Sequence, residues 1–373
     1  ITNSGNINVG DGNTNASVGI YTNSGDVTNS GNITVGKKGA GIYIGSGNVT
    51  VTGGTISIGE ESTALSMNMT PVGGTSYTYS GTGGIINVNG QKVTGYSLTG
   101  LDNMTTPSLF TDNLTVSVGS TPANAGEKYT QYNLLNSKFI ANKNMTFSKD
   151  GFTYINAKNS AVELASGTTV SSTGLNSVGI YLDNDTLASP ITAFSGTYSL
   201  KNSGTITLGD SSTGIYGKNM SSAIGNAGTI TVGNNSTAVY ASDATLKNIS
   251  SGNINVGSNS TGMYQVTSSG KNTSNSGTIT GLSGSNGSTG LVVENTGIAL
   301  IPTAKNEASG VITINGTNGV GIYSKGSNDS NITNAGTITL ANGISESNPN
   351  VGIYSDNQGL VQNDDTITSG NYG

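Results

Sequence analysis

Short stretches in which apolar and polar residues alternate recur along this chain. In the run from Gly204 to Gly209, GTITLG, the apolar Ile206 and Leu208 alternate with Thr205 and Thr207. That is the two-residue period of a strand with one buried face. The pattern returns 24 residues on as GTITVG from Gly228, and again as GNINVG from Gly252. Other copies begin at Asn3, Asn29, Thr52, Asn275, Ala308 and Asn334. A second apolar element follows each copy. It contains a Gly-Ile-Tyr phrase or a variant, giving Tyr21, Tyr43, Tyr181, Tyr216, Tyr240, Tyr264, Tyr323 and Tyr354. In five copies eleven residues separate the anchor glycine from the apolar residue of this phrase: Gly31 to Ile42, Gly54 to Leu65, Gly204 to Ile215, Gly228 to Val239 and Gly252 to Met263. A third short apolar element lies four residues before the next anchor glycine, at Val27, Leu200, Ile224 and Ile332.

Three short strands and three Gly/Asn/Ser turns in about 24 residues predict one coil of an all-β, right-handed parallel β-helix, a β-solenoid with loop insertions. A lone coil has nothing to bury its few apolar side chains against, so successive coils must stack. Stacking places like residues above one another. The recurrent Asn29, Asn202, Asn226, Asn275 and Asn334 are therefore expected to form a ladder of amides. If Ile215 points inward, Tyr216 points outward, and the tyrosines form an external strip that either braces the coils or stacks against sugar rings.

The repeat is regular over residues 1–66 and 153–373 and hard to trace over 67–152. That stretch holds Pro71, Pro107 and Pro122, half the prolines of the chain. It also contains Tyr77, Tyr79, Tyr96, Phe110, Tyr129 and Tyr132. Strand-like pieces such as GIINVNG from Gly84 and LTVSVG from Leu114 indicate coils continuing beneath longer loops. Insertions in a solenoid emerge on its surface and often form the binding face. The six aromatics are accordingly the candidate receptor-binding residues, against the alternative that they pack loops onto the coils. A smaller break occurs near Val292, in VVENTGIALIPTAKNEA.

Composition narrows the chemistry. The 373 residues include 57 Gly but no Cys, His or Trp, and the 14 basic residues are all Lys. A net charge of −6 opposes nucleic-acid binding, which needs clustered cations. Without His or Cys there is no nucleophile–histidine dyad and no His/Cys zinc site. Asp183 with Asp185, Asp364 with Asp365, and Glu60 with Glu61 could divide acid and base roles, as in β-helical carbohydrate-active enzymes. Each pair lies in a polar turn where solvated carboxylates are ordinary, so no catalytic residue, metal or cofactor is assigned. No apolar run is long enough to span a bilayer as a helix.

The phrases NSGTITLG with STGIYG, NAGTITVG with STAVYA, and NSGNITVG with GAGIYI resemble the passenger region of large type V autotransporters, particularly fusobacterial-type outer-membrane adhesins. The resemblance covers residues 1–65 and 176–373 and is poor between them. It implies a monomeric extracellular β-helix, held at the bacterial surface by an outer-membrane barrel that this chain does not include. It also implies adhesion to a host-cell protein or glycan, receptors on immune cells among them, or to partner bacteria. A passive stalk displaying a binding tip elsewhere is the alternative.

Overall fold

The structure, a computed structural model, describes residues 1–13, 16–184, 197–346, 348–357 and 359–373. Among these the chain is all-β apart from one three-residue 3-10 turn, Pro107–Leu109. The strands pair in parallel between coils, as a β-solenoid requires. The residues divide into two compact units, 1–143 with 149–160, and 144–148 with 161–373.

The coil geometry is clearest in the second unit. One coil comprises Tyr198–Asn202, Thr205–Leu208 and Thr213–Lys218, and the next comprises Ala223–Asn226, Thr229–Val232 and Thr237–Ser242. Each strand pairs with its counterpart one coil later, Ile206 opposite Ile230 and Ile215 opposite Val239. This registry builds a column of isoleucines, Ile206, Ile230, Ile254, Ile279, Ile312 and Ile338, all fully buried. Burying each is worth about 1.5–3 kcal/mol. The threonines between them, Thr207 and Thr231, face outward because a strand alternates its faces.

Beside the apolar columns runs the expected amide ladder, and it is longer than the anchor phrase indicated. Each Asn Nδ2 donates to the Oδ1 of the next: Asn202 to Asn226, Asn226 to Asn248, Asn248 to Asn275 and Asn275 to Asn306 at 2.8 Å, Asn306 to Asn334 at 2.9 Å, and Asn334 to Asn363 at 2.8 Å. Asn202 to Asn334 are at most 1% exposed. Asn226, Asn275 and Asn306 also donate to the carbonyl of the anchor glycine that follows, Gly228, Gly277 or Gly310. Close approach explains that glycine: a Cβ on Gly228 would lie 2.0 Å from the carbonyl oxygen of Gly204 in the preceding coil. The Asn-[Ser/Ala]-Gly phrase thus joins a buried amide to a point where two backbones touch.

In the first unit the strands of 67–152 keep the coil pattern. Tyr79–Gly81 pairs with Val49–Val51, Ile85–Val88 with Thr55–Ile58, and Thr94–Thr99 with Thr63–Asn68. Among the described residues the amide ladder there has a single rung, Asn3 to Asn29 at 2.8 Å. The positions that continue its register are Val51, Gly81 and Asp112.

Removing one rung tests the ladder. Asn248→Ala removes the donor to Asn275 Oδ1 and the acceptor for Asn226 Nδ2, at about 1–3 kcal/mol per orphaned buried group. Thermal and urea unfolding should show a clear loss of stability for Asn248→Ala, and almost none for Thr207→Ala on the exposed face. Equal, small effects from the two would show that the ladder contributes nothing.

Candidate functional site

The aromatic residues of 67–152 lie mostly inside the first unit. Along one inward column the register runs Ile20, Ile42, Leu65, Tyr96, Tyr132 and Ile155. Tyr96 and Tyr132 therefore occupy the isoleucine slot of the repeat. Tyr79, Tyr96, Tyr129 and Tyr132 are at most 1% exposed and Phe110 is 7% exposed. The expected surface patch does not hold for these five; Tyr77 alone is half-buried, in the loop before Tyr79. The rings of Tyr79, Tyr96, Phe110 and Tyr132 pack against one another and against Phe139 and Tyr154, with centroids 5.0–5.9 Å apart, and Tyr129 stacks on Phe152 at 6.4 Å. They fill interior volume that aliphatic side chains fill elsewhere.

Enclosed with them is an ion pair. Asp112 and Lys143 approach to 2.9 Å, with side chains 2% and 13% exposed. Oδ1 of Asp112 accepts from the Tyr96 hydroxyl at 2.6 Å and the Leu114 N–H at 3.2 Å. Its Oδ2 accepts from the Tyr132 hydroxyl at 2.7 Å and Gln131 Nε2 at 3.0 Å. Lys143 also donates to the Leu114 carbonyl. Tyr129 donates to Gln131 Oε1 at 2.7 Å, and Tyr154 to the Lys143 carbonyl at 2.7 Å. Asp112 thus takes the ladder position as a charged residue, and every acceptor lobe it presents is used. Sequence reasoning missed both Asp112 and Lys143, which carry no motif; register with Asn3 and Asn29 is the signal that finds Asp112.

The outer face carries the tyrosines of the Gly-Ile-Tyr phrase. Tyr181, Tyr216, Tyr240 and Tyr264 stack with centroids 4.8–5.4 Å apart and planes within 16°. Stacked in this way, the rings cover one another's faces. The free face of Tyr264 is taken by Lys325 Nζ, 5.1 Å from the ring centroid. Its hydroxyl donates to Glu294, which pairs with Lys325 at 3.1 Å. Burial, and then the bond to Glu294, push the Tyr264 phenol up to about 12. The row braces coils and is poorly suited to stacking on sugar rings. In the first unit Tyr21 and Tyr43 stack at 5.4 Å, and the next position in their column is Ser66.

The smaller sequence break leaves several apolar side chains of the second unit open to solvent. Between Thr289–Asn295 and Thr303–Asn306 the chain leaves the coil, with Ile298 93%, Leu300 58% and Ile301 54% exposed. The strand that follows borders a shallow cleft of about 440 Å³ whose lining includes Lys247, Asn272, Ser274, Thr303, Lys305 and Glu307. Registry explains its charge: Lys247, Ser274 and Lys305 stand in one outward column on three successive coils. Asn272 Oδ1 accepts the Thr303 N–H at 2.8 Å and fixes the rim. The arrangement offers the Lys247 ammonium, the Lys305–Glu307 ion pair at 2.6 Å and several hydroxyl and amide groups beside an apolar loop.

Glu60 pairs with Lys37 at 3.1 Å and Glu61 with Lys92 at 2.8 Å, so the two side chains are drawn to different partners. Asp183 pairs with Lys218 at 3.4 Å, and Asp185 lies outside the described residues. Asp364 accepts from Gln362, and its neighbour Asp365 accepts from the Thr366 hydroxyl. Among the described residues no group of three or more acidic side chains could hold a metal ion, and no helix is long and apolar enough to cross a membrane. No family model, no curated protein and no solved structure matches the chain.

The interior phenols set an alkaline limit on the first unit. Burial, with the Asp112 charge adding to it, raises Tyr79, Tyr96, Tyr129, Tyr132 and Tyr154 above the ordinary tyrosine value. A group whose folded pKa is raised stabilises the fold fully below its unfolded pKa, here about 10, and loses that contribution as pH rises. Tyrosinate absorbance should resolve a class that ionises above about pH 10 only together with loss of the β-sheet circular dichroism. Complete ionisation with the dichroism unchanged would contradict the enclosed placement.

Proposed function

We propose that this chain is the receptor-contacting segment of a bacterial surface adhesin, and that contact is made at the loop of Ile298, Leu300 and Ile301 together with the adjoining lysine cleft. The observation that carries the reading is the juxtaposition of strongly exposed apolar side chains with a polar cleft that holds Lys247 and the Lys305–Glu307 ion pair. Monomeric proteins seldom leave contiguous apolar loops open unless a partner covers them. Hydroxyl and amide groups flanking Lys247 and the Lys305–Glu307 pair suit a glycan, while the loop supplies apolar contact at its edge. The resemblance of the repeat to autotransporter passengers supports the same reading and supplies its setting, the bacterial surface and a host-cell or bacterial partner. The site thus shifts from the aromatics of 67–152 to an insertion on the regular coils.

Binding of the labelled chain to host cells and to a panel of acidic and neutral glycans tests this. Saturable binding should fall at least about tenfold in Ile298→Ser/Leu300→Ser and in Lys247→Ala/Lys305→Ala, a loss of about 1.4 kcal/mol or more. It should persist in Tyr77→Ser. Absence of binding by the folded native chain would favour a passive stalk and overturn the proposal, as would full binding by both double variants.

A further inference from the structure

We propose that Asp112 and Lys143 condense to an intramolecular amide, a covalent cross-link inside the first unit. The inference rests on the buried network and is independent of what the protein binds. Lys143 Nζ lies 2.9 Å from Asp112 Oδ1, and both side chains are largely withdrawn from solvent. Amide formation requires that one proton pass from Nζ to the carboxylate, giving an amine and a carboxylic acid in contact.

The surroundings match the remaining steps. The Tyr96 hydroxyl and the Leu114 N–H both donate to Oδ1, where negative charge develops as the amine attacks the carboxyl carbon. The Tyr132 hydroxyl and Gln131 Nε2 donate to Oδ2, the oxygen that leaves. The Leu114 carbonyl accepts a proton of Nζ, which orients the amine. The balance is closed: the nitrogen–carbon bond forms, the carbon–Oδ2 bond breaks, and Oδ2 departs as water with the acid proton and one amine proton. The amide retains Oδ1 and one N–H. No oxidant, reductant or cofactor is consumed. Proximity of this kind is worth several orders of magnitude in rate over the same groups free in water. Oδ1 keeps the Tyr96 and Leu114 donors in the product, while the Tyr132 hydroxyl and Gln131 Nε2 give up the acceptor that leaves as water.

Intact-mass measurement on the full chain reads the outcome directly. The expected result is a mass about 18 Da below that of the sequence, with proteolysis yielding one branched peptide joining Asp112 to Lys143. Peptide mapping is essential because cyclisation at Asp11-Gly12 or Asp150-Gly151 would lose the same mass. Lys143→Arg should restore the full mass. Asp112→Asn should lose ammonia, about 17 Da, and give the same cross-link. Folded native protein with the full sequence mass, or a loss mapped to any other site, overturns the proposal.

Discussion

Everything in this fold depends on a polar group inside one coil finding its partner in the next. A three-strand coil is too narrow to satisfy a buried amide from within its own cross-section. The second unit answers with identical side chains at identical positions, each asparagine accepting from the rung before and donating to the rung after. The same rule governs the backbone ladder and the serine turns, where the Ser212 N–H donates to Ser236 Oγ at 2.9 Å and the Ser236 N–H to Ser260 Oγ at 2.9 Å. An unmatched rung would leave a donor or acceptor stranded in an apolar interior, which costs far more than a matched one gains. Repetition of sequence is thus the direct consequence of stacking.

The first unit meets the same demand with different side chains. Where the ladder register reaches Val51, Gly81 and Asp112, amides are replaced by a tyrosine-rich interior around one ion pair. Gly81 makes room for it: a Cβ there would lie 2.5 Å from the Tyr79 hydroxyl. Large rings close the volume, and their hydroxyls give the carboxylate the donors that asparagines supply elsewhere. A network of this kind is stable only when every member is present, since removing one partner strands a buried charge. The two units therefore differ in how they tolerate change, the ladder losing one rung at a time and the cluster failing as a set.

Period, strand alternation and turn chemistry sufficed to read the fold class and the amide ladder. The rungs Asn248 and Asn306 were hidden because their segments, LKNIS and AKNEA, lack the Asn-[Ser/Ala]-Gly phrase; only alignment of strands exposes them. The aromatics were misplaced for a related reason. Tyr96 in TGYSLTG and Tyr216 in TGIYGKN look alike, yet they sit one residue apart in register, and one residue in a strand exchanges inside for outside. Asp112 and Lys143 are 31 residues apart and share no local pattern, so their meeting is visible only in three dimensions. The loop at Ile298 was recognised as a break, but composition alone did not show that its apolar residues face solvent.

The rungs of the amide ladder are separated by 24, 22, 27, 31, 28 and 29 residues, yet the hydrogen bonds between them all measure 2.8–2.9 Å. Chain length and interior geometry are therefore uncoupled. Corners absorb insertions and deletions of several residues while the rungs stay in step, so genetic drift in loop length leaves the interior untouched. A lineage built on such coils is free to explore its outer surface one corner at a time. In comparing its members, the natural unit of alignment is the rung and not the residue.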